Sequence, residues 1–530
     1  MNTDGVSYLH LSDAFRQSDW NVALSAFWSP FFPWILAQIM GATGAASENE
    51  ASIVHAVQFG AYLLGLLTFE YLLRELERVQ CSRAENIRDA FMFISHPVGL
   101  ALAYSLFAWA GLAAIGMAYV SPDLLVAAEL YLLAALLLRF HRTPAPVLMY
   151  AAFGATLGVS YLTKTVMFPA SFVFLACCYA AAVPGRRRAV GIATAMFVFL
   201  AFALPEVGAI SKAKHRLTFG DSGKIAYARY VNGYSDWWRG EPPGSGIPQH
   251  PPRQIGSNPA VYEFATPGYG SYPMRDDPSY WAEGIAPRFD PHEQLAAVER
   301  QARLYYGLLA PFFLSLLILS TLRVLAPPER SFVRTDSVIV LPFLAIFLIY
   351  LPVYVLPRLV AGAAVVVTVV AVTLLRFRRL PGIRTAVVSV VAILAFDTAG
   401  RVAFSLVGNG SAISAGLSGR GDGRTQLDVA RSLAGRGVAR GERVGVIGGA
   451  EGAYWARLSQ VQISVEIPEG ELEPYWAARG GERRSIEELF SHAGARFIVA
   501  KNPPSWALLT DWESLNHSGY YLRRLPGGAP

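Results

Sequence analysis

Apolar residues fall in long blocks separated by short polar joints, and that pattern governs most of the chain. Blocks of membrane-spanning length cover approximately residues 52–73, 99–120, 124–140, 147–163, 165–183 and 189–210, then 304–323, 337–356, 358–376 and 385–404. Each is near the ~20 residues an α-helix needs to cross the hydrocarbon core. Gly and Pro interrupt several, which a span tolerates where neighbouring helices cover its backbone. Three polar stretches remain: an opening run from Asp4 to Trp34, an interval over 211–303, and a tail ending at Pro530. The expected fold class is an all-α polytopic membrane bundle of about ten spans with a small C-terminal α/β domain. Residues 1–410, including the 211–303 loop, form the membrane domain, and 411–530 the second.

The tail carries a shorter period. Arg443–Gly448, Val461–Ile467, Arg496–Ala500 and Tyr520–Leu525 read as strands, and Gly452–Leu458 and Arg484–Ala493 as helices. The glycines from Gly445 to Gly452 follow a strand, as in a nucleotide fingerprint. On the side this tail is expected to face no nucleotide supply exists, so they read as turn residues.

Charge sets the orientation. One set of loops holds Arg74, Arg78, Arg83 and Arg88, then Arg139 and Arg142, then Arg186, Arg187 and Arg188. It continues with Arg323, Arg330 and Arg334, and with Arg376, Arg378, Arg379 and Arg384. The alternate short loops carry little beyond Lys164 and Arg358. The arginine-rich set is therefore cytoplasmic, and the opening run, the 211–303 interval and the tail face the other side. An even number of spans leaves the N-terminus outside with no helix to carry it across, so a further span is expected ahead of Met1. No basic stretch precedes a short apolar one, as a cleavable signal would require.

Composition agrees: 53% of the 530 residues are hydrophobic and 16% charged, with mean hydropathy +0.35. The net charge of +6 sits in arginines at span ends, so no nucleic-acid partner is implied. Three cysteines, Cys81, Cys177 and Cys178, offer no disulfide framework.

Four charged groups fall at the outer boundary of the spans: Asp4, Asp123, Lys164 and Arg358. Each alone is more often an anchor that snorkels to water, and Asp4 alone more often a helix cap. Together they form a set of two carboxylates and two cations at one depth. Carboxylates can deprotonate an acceptor or hold a divalent metal, and cations can neutralise a phosphate leaving group. Glu129 and Asp397 lie within spans and are expected to face the bundle interior or a cavity. The 211–303 interval interleaves Tyr230, Tyr234, Trp237, Trp238, Tyr262, Tyr269, Tyr272, Tyr280 and Trp281 with Asp221, Asp236, Glu263, Asp276 and Asp277. Such a mixture suits sugar rings, and equally a proline-stiffened cap with its own small aromatic core. Gly220 to Lys224 lacks the phosphate-loop spacing.

Asp4-Gly5-Val6-Ser7-Tyr8-Leu9, followed by Ser18-Asp19-Trp20 and by Trp28-Ser29-Pro30-Phe31-Phe32-Pro33-Trp34, resembles the first outer loop of bacterial GT-C-type membrane glycosyltransferases. The similarity is to the branch related to lipopolysaccharide-core transferases and protein mannosyltransferases. Ser121-Pro122-Asp123-Leu124-Leu125 resembles the family's second outer loop, and Leu157 to Lys164 its later lysine-bearing turn. Thr218 to Lys224 and Tyr230-Val231-Asn232-Gly233 resemble one subgroup. The resemblance implies inverting transfer of a sugar from a polyprenyl-phosphate donor to a glycan, lipid or protein acceptor. It places this at the periplasmic face of the bacterial inner membrane. It implies a catalytic Asp in the first outer loop, which maps to Asp4 as the base; the charges themselves suit Asp123 as its support or a metal holder, and Lys164 and Arg358 as stabilisers of the departing phosphate. Tyr8, Trp28, Asp221, Trp237 and Trp238 would meet the sugar or acceptor. Asp4 and Asp123 are candidate ligands of Mg or Mn, and no organic cofactor is expected. Two departures stand out: the family's first span is missing, and its acidic pair is Asp4-Gly5 here.

Two other classes are compatible with these residues. A flippase or transporter of lipid-linked sugars would also need aromatics and cations near the membrane plane, but such proteins carry internal repeats and midplane broken helices. A non-catalytic envelope scaffold would use the tail as a binding module.

Overall fold

A computed structural model describes residues 1–44, 47–84, 96–234, 248–264, 270–325, 333–374, 382–411, 414, 422–507, 510–516 and 518–526. The chain is mostly helical. Among the described residues, seven helices are long and apolar enough to cross a membrane: Glu50–Cys81, Pro97–Ile115, Asp123–Arg142, Arg187–Ala213, Pro291–Leu325, Pro357–Leu374 and Ile383–Gly408. They coincide with seven of the ten expected spans. The other three appear as shorter apolar helices, Val147–Thr163, Met167–Ala181 and Val338–Tyr350. A fourth short one, Phe31–Thr43, stands where only an aromatic and proline cluster was expected.

Two of these helices are central. The Asp123–Arg142 and Pro357–Leu374 helices are largely buried, whereas Phe197, Leu317 and Phe396 on outer helices are exposed. Exposed side chains of that kind suit a lipid solvent. The central pair approach closely at Gly362, where a Cβ would lie 3.0 Å from the Ala127 Cα. Asp123 stands one turn before Ala127, and Arg358 one turn before Gly362. The small residue thus sets the distance between the two charged helix starts.

Of the ionisable residues noted inside spans, Glu129 is buried and accepts a hydrogen bond from Thr163 Oγ1 at 2.8 Å. Asp397 departs from expectation: it is half-exposed and pairs with Arg401 on its own helix at 2.8 Å.

Seven strands form one sheet: β1 (Arg253–Ser257), β2 (Ala260–Glu263), β3 (Arg443–Ile447), β4 (Gln462–Ile467), β5 (Phe497–Lys501), β6 (Glu513–Ser514) and β7 (Tyr520–Arg524), in the order β1-β2-β4-β3-β5-β7-β6. β3 runs parallel to β4 and β5, and the outer pairings are antiparallel. Both faces are buried with a period of two. Val444, Val446, Phe497 and Val499 face one core, and Ile447, Ile498 and Ala500 the other. The expected glycine turn is correct for Gly448 and Gly449, whose φ angles are +83° and +71°. Gly445 instead lies within β3, where a Cβ would meet the Phe490 ring at 2.1 Å.

Because β1 and β2 belong to the 211–303 interval, loop and tail build one sheet, and the division expected at residue 410 does not separate them. Tyr272, Tyr280 and Trp281 pack into the core on one face of that sheet, the second of the two roles weighed for these aromatics. The unit docks on the opening helix, Thr3–Arg16, through Arg457. Its guanidinium pairs with Asp13 at 2.7 Å and with Glu50.

Candidate active site

The opening helix begins at Thr3, and its cap residue Asn2 turns its amide side chain away from the helix. That amide accepts a hydrogen bond from the Val120 N–H at 3.0 Å and donates to the Val120 carbonyl at 3.2 Å. This two-point clamp fixes the helix start against residues 116–122. The expected span 99–120 stops at Ile115, freeing this segment to carry Tyr119 and Ser121. Pro357 at the first position of its helix fixes where Arg358 emerges. Lys164 sits in the turn between the Val147–Thr163 and Met167–Ala181 helices.

These four elements bring Asp4, Asp123, Lys164 and Arg358 together. Arg358 bridges the two carboxylates, with Nη2 3.0 Å from Asp4 Oδ2 and Nη1 3.3 Å from Asp123 Oδ2. Lys164 Nζ pairs with Asp123 Oδ1. Ser121 Oγ donates to Asp123 Oδ2 at 3.0 Å. Tyr119 donates its hydroxyl to Asp4 Oδ2 at 3.0 Å, and the Arg358 guanidinium lies over the Tyr119 ring at 4.6 Å. Burial and the neighbouring Asp4 raise the Tyr119 pKa, keeping the phenol a proton donor. Burial lowers the Lys164 ammonium from its ordinary value, against the pull of Asp123.

The two carboxylates differ. Both oxygens of Asp123 are taken by cations or a hydroxyl, and its side chain is 2% exposed. At Asp4 both contacts fall on Oδ2, leaving Oδ1 without a partner among the described residues, and the side chain is 10% exposed. Asp4 can accept a proton, whereas Asp123 holds two cations in place. Both carboxylates are already paired, Asp4 with Arg358 and Asp123 with Arg358 and Lys164. Among the described residues no cluster of three His, Cys, Asp or Glu side chains could hold a metal. This donor set does not fit a bound metal.

The same architecture recurs in two solved structures. ArnT from Cupriavidus metallidurans in the apo state is 14% identical and covers 98% of this chain and 93% of its own, with a TM-score of 0.51. The same protein bound to undecaprenyl phosphate is 15% identical and covers 100% and 95%, with a TM-score of 0.53. The chain has a GT-C-type membrane glycosyltransferase fold. It is a multi-pass membrane protein. At these identities the likeness is one of fold. No protein-family model and no curated protein matches the sequence.

Around the GT-C core the remaining expected site residues separate. Tyr8 is buried one turn from Asp4 and packs edge-on against Trp28, with ring centroids 4.8 Å apart. Burial, then the charges of Asp4 and Asp123, raise its pKa well above the ordinary phenol value. Trp28 Nε1 donates to the Arg275 carbonyl at 2.9 Å. Asp221 is buried, pairs with Arg216, and donates its backbone N–H to the Ala26 carbonyl at 2.7 Å, so its carboxylate locks a loop. Trp237 and Trp238 lie outside the described residues.

Sequence reasoning missed Tyr119 and Arg275. The Arg275 N–H donates to Ser7 Oγ at 3.2 Å, and its Nη1 to Thr3 Oγ1 at 3.2 Å. It also lies 3.6 Å from Glu451 of the tail. Arg275 is one of many basic residues in the 211–303 interval, so residue type alone did not single it out.

Proposed function

We propose that the chain transfers a sugar from a polyprenyl-phosphate donor to an acceptor hydroxyl, with inversion, at the periplasmic face of the bacterial inner membrane. The observation that carries this reading is the open Oδ1 of Asp4 beside two cations anchored on Asp123. The ArnT structure bound to undecaprenyl phosphate supports a lipid-phosphate donor for this fold.

The acceptor hydroxyl oxygen attacks the anomeric carbon while its proton passes to Asp4 Oδ1. A new bond forms between the anomeric carbon and the acceptor oxygen. The bond from that carbon to the phosphate oxygen breaks, and its electron pair leaves with the polyprenyl phosphate. Attack opposite the leaving group inverts the configuration. Arg358 carries five N–H donors and Lys164 three, so each retains donors for phosphate oxygens after pairing with the carboxylates. They stabilise the charge that develops on the leaving group, where catalysis must act.

Asp4→Asn keeps size and packing but removes the proton acceptor. Transfer of a labelled sugar from polyprenyl phosphate in membranes, with expression checked by blot, should fall by about 10²–10⁴-fold. Undiminished transfer by a well-expressed Asp4→Asn protein would place the flippase or scaffold readings ahead.

A further inference from the structure

We infer that the sugar ring of the donor is held in the shallow cleft beside Lys164, with Glu206 accepting hydrogen bonds from the ring hydroxyls. The inference rests on the sugar-transfer reading and assigns the part of that site which reads the sugar.

Glu206 lies on the Arg186–Ala213 helix, about twenty residues beyond the arginines that open it. At 1.5 Å per residue that is ~30 Å, the thickness of a hydrocarbon core, so Glu206 reaches the boundary opposite the arginine end. Lys164, Asp123 and Arg358 occupy that boundary too. The Glu206 side chain is half-buried in the cleft and has no hydrogen bond or ion pair among the described residues. A carboxylate inside a membrane protein without a partner is costly unless something supplies one.

The walls around it are polar and fixed. Glu206 shares the cleft with Trp28, Ser29, Tyr161, Thr165 and Gly220. Ser29 and Thr165 hydroxyls hydrogen-bond to each other at 3.2 Å, and Tyr161 donates to the Phe219 carbonyl at 3.0 Å. Phe219 stacks on Phe168 with centroids 4.8 Å apart. Gly220 has φ +139°, and a Cβ there would meet Thr165 Cγ2 at 2.6 Å, so the loop lies directly on the Lys164 turn. Asp221, expected to bind sugar, locks this loop through Arg216, and Glu206 presents the free carboxylate instead.

Position selects the ligand. Thr165, which lines the cleft, follows Lys164 in the same turn, so the cleft wall and the phosphate-binding cation share one short element. Two carboxylate oxygens can accept hydrogen bonds from neighbouring hydroxyls of one ring. A carboxylate that merely reached for water would need no hydroxyl-lined wall.

The test measures binding of undecaprenyl phosphate, bare or carrying one pyranose from a panel of pentoses and hexoses, to the full chain in detergent. Wild type should bind its preferred sugar-bearing lipid more tightly than the bare lipid. Glu206→Gln should lose about tenfold of that added affinity and bind bare lipid unchanged, which also reports correct folding. Should Glu206→Gln fail to bind bare lipid, Thr165→Val provides the second test, and it too must lose part of the increment. A variant that binds bare lipid normally and keeps the whole increment would overturn the inference. Failure of the wild type to bind either lipid would overturn the sugar-transfer reading and this inference with it.

Discussion

At the two ends of the Asp123–Arg142 helix stand two buried carboxylate clusters. At its C-terminal end, Glu75 receives Arg78 on Oε1 and Arg142 on Oε2, and both oxygens are occupied. At its N-terminal end, Asp123 is equally occupied, but its partner Arg358 reaches on to Asp4, which keeps one oxygen open. The helix spans 20 residues, so the clusters lie ~30 Å apart. The first joins residues from two helices. The second gathers the opening helix, a helix start, a turn and a further helix start from positions 4, 123, 164 and 358. A saturated cluster can only hold the bundle together. A cluster that assembles distant segments and leaves one acceptor free can also do chemistry.

The sharpest way to break this contrast is Arg358→Gln. It removes the bridge between the carboxylates and a cation from the leaving group, and should cost about 2–4 kcal/mol in activation free energy, measured as transfer rate. Arg358→Lys should restore part of it, because an ammonium keeps the charge but cannot span both carboxylates as a planar fork does.

Glu75→Gln should act in the other direction. It deprives Arg78 and Arg142 of their charged partner and should lower stability by about 1–3 kcal/mol, read as melting temperature. Transfer per folded molecule should stay at the wild-type level.

The smallest effect concerns His10, on the opening helix one turn beyond Val6. It is 1% exposed, and neither ring nitrogen has a partner among the described residues. Burial, then the Arg457 cation, holds its pKa well below the ordinary histidine value. The unfolded chain therefore takes up a proton below about pH 6.5 that the folded chain refuses. Stability should be independent of this group above that pH and should fall as pH drops below it, until the folded pKa is reached. His10→Phe keeps a flat ring against Gly270 and should flatten the slope between pH 7.5 and pH 5.5, whatever it does to absolute stability. An unchanged slope would remove His10 from the account.

Much of this arrangement was legible because a lipid solvent imposes simple rules. A span must be apolar for about twenty residues, so its ends are visible, and charges at one set of ends share a depth. That is why Asp4, Asp123, Lys164 and Arg358 could be grouped before their contacts were known. Long-range pairing leaves no such mark. Nothing in Arg253–Glu263 announces that β2 will pair with β4, about two hundred residues later. Likewise nothing in the tail places Glu451 beside Arg275. The free oxygen on Asp4 is a property of Tyr119 and Arg358 geometry, invisible in residue types. Glu206 was within reach. It is an ionisable residue inside the expected span 189–210, and the reasoning applied to Glu129 and Asp397 covers it equally.

The most direct test sets the two clusters against each other in one experiment. Asp4→Asn and Glu75→Gln are expressed in parallel, and each is measured for sugar transfer from polyprenyl phosphate and for melting temperature. The account predicts that Asp4→Asn loses transfer with a smaller fall in melting temperature than Glu75→Gln, because Arg358 keeps its pairing with Asp123, and that Glu75→Gln melts lower while transferring normally per folded molecule. Normal transfer by Asp4→Asn, or loss of transfer by folded Glu75→Gln, would contradict it.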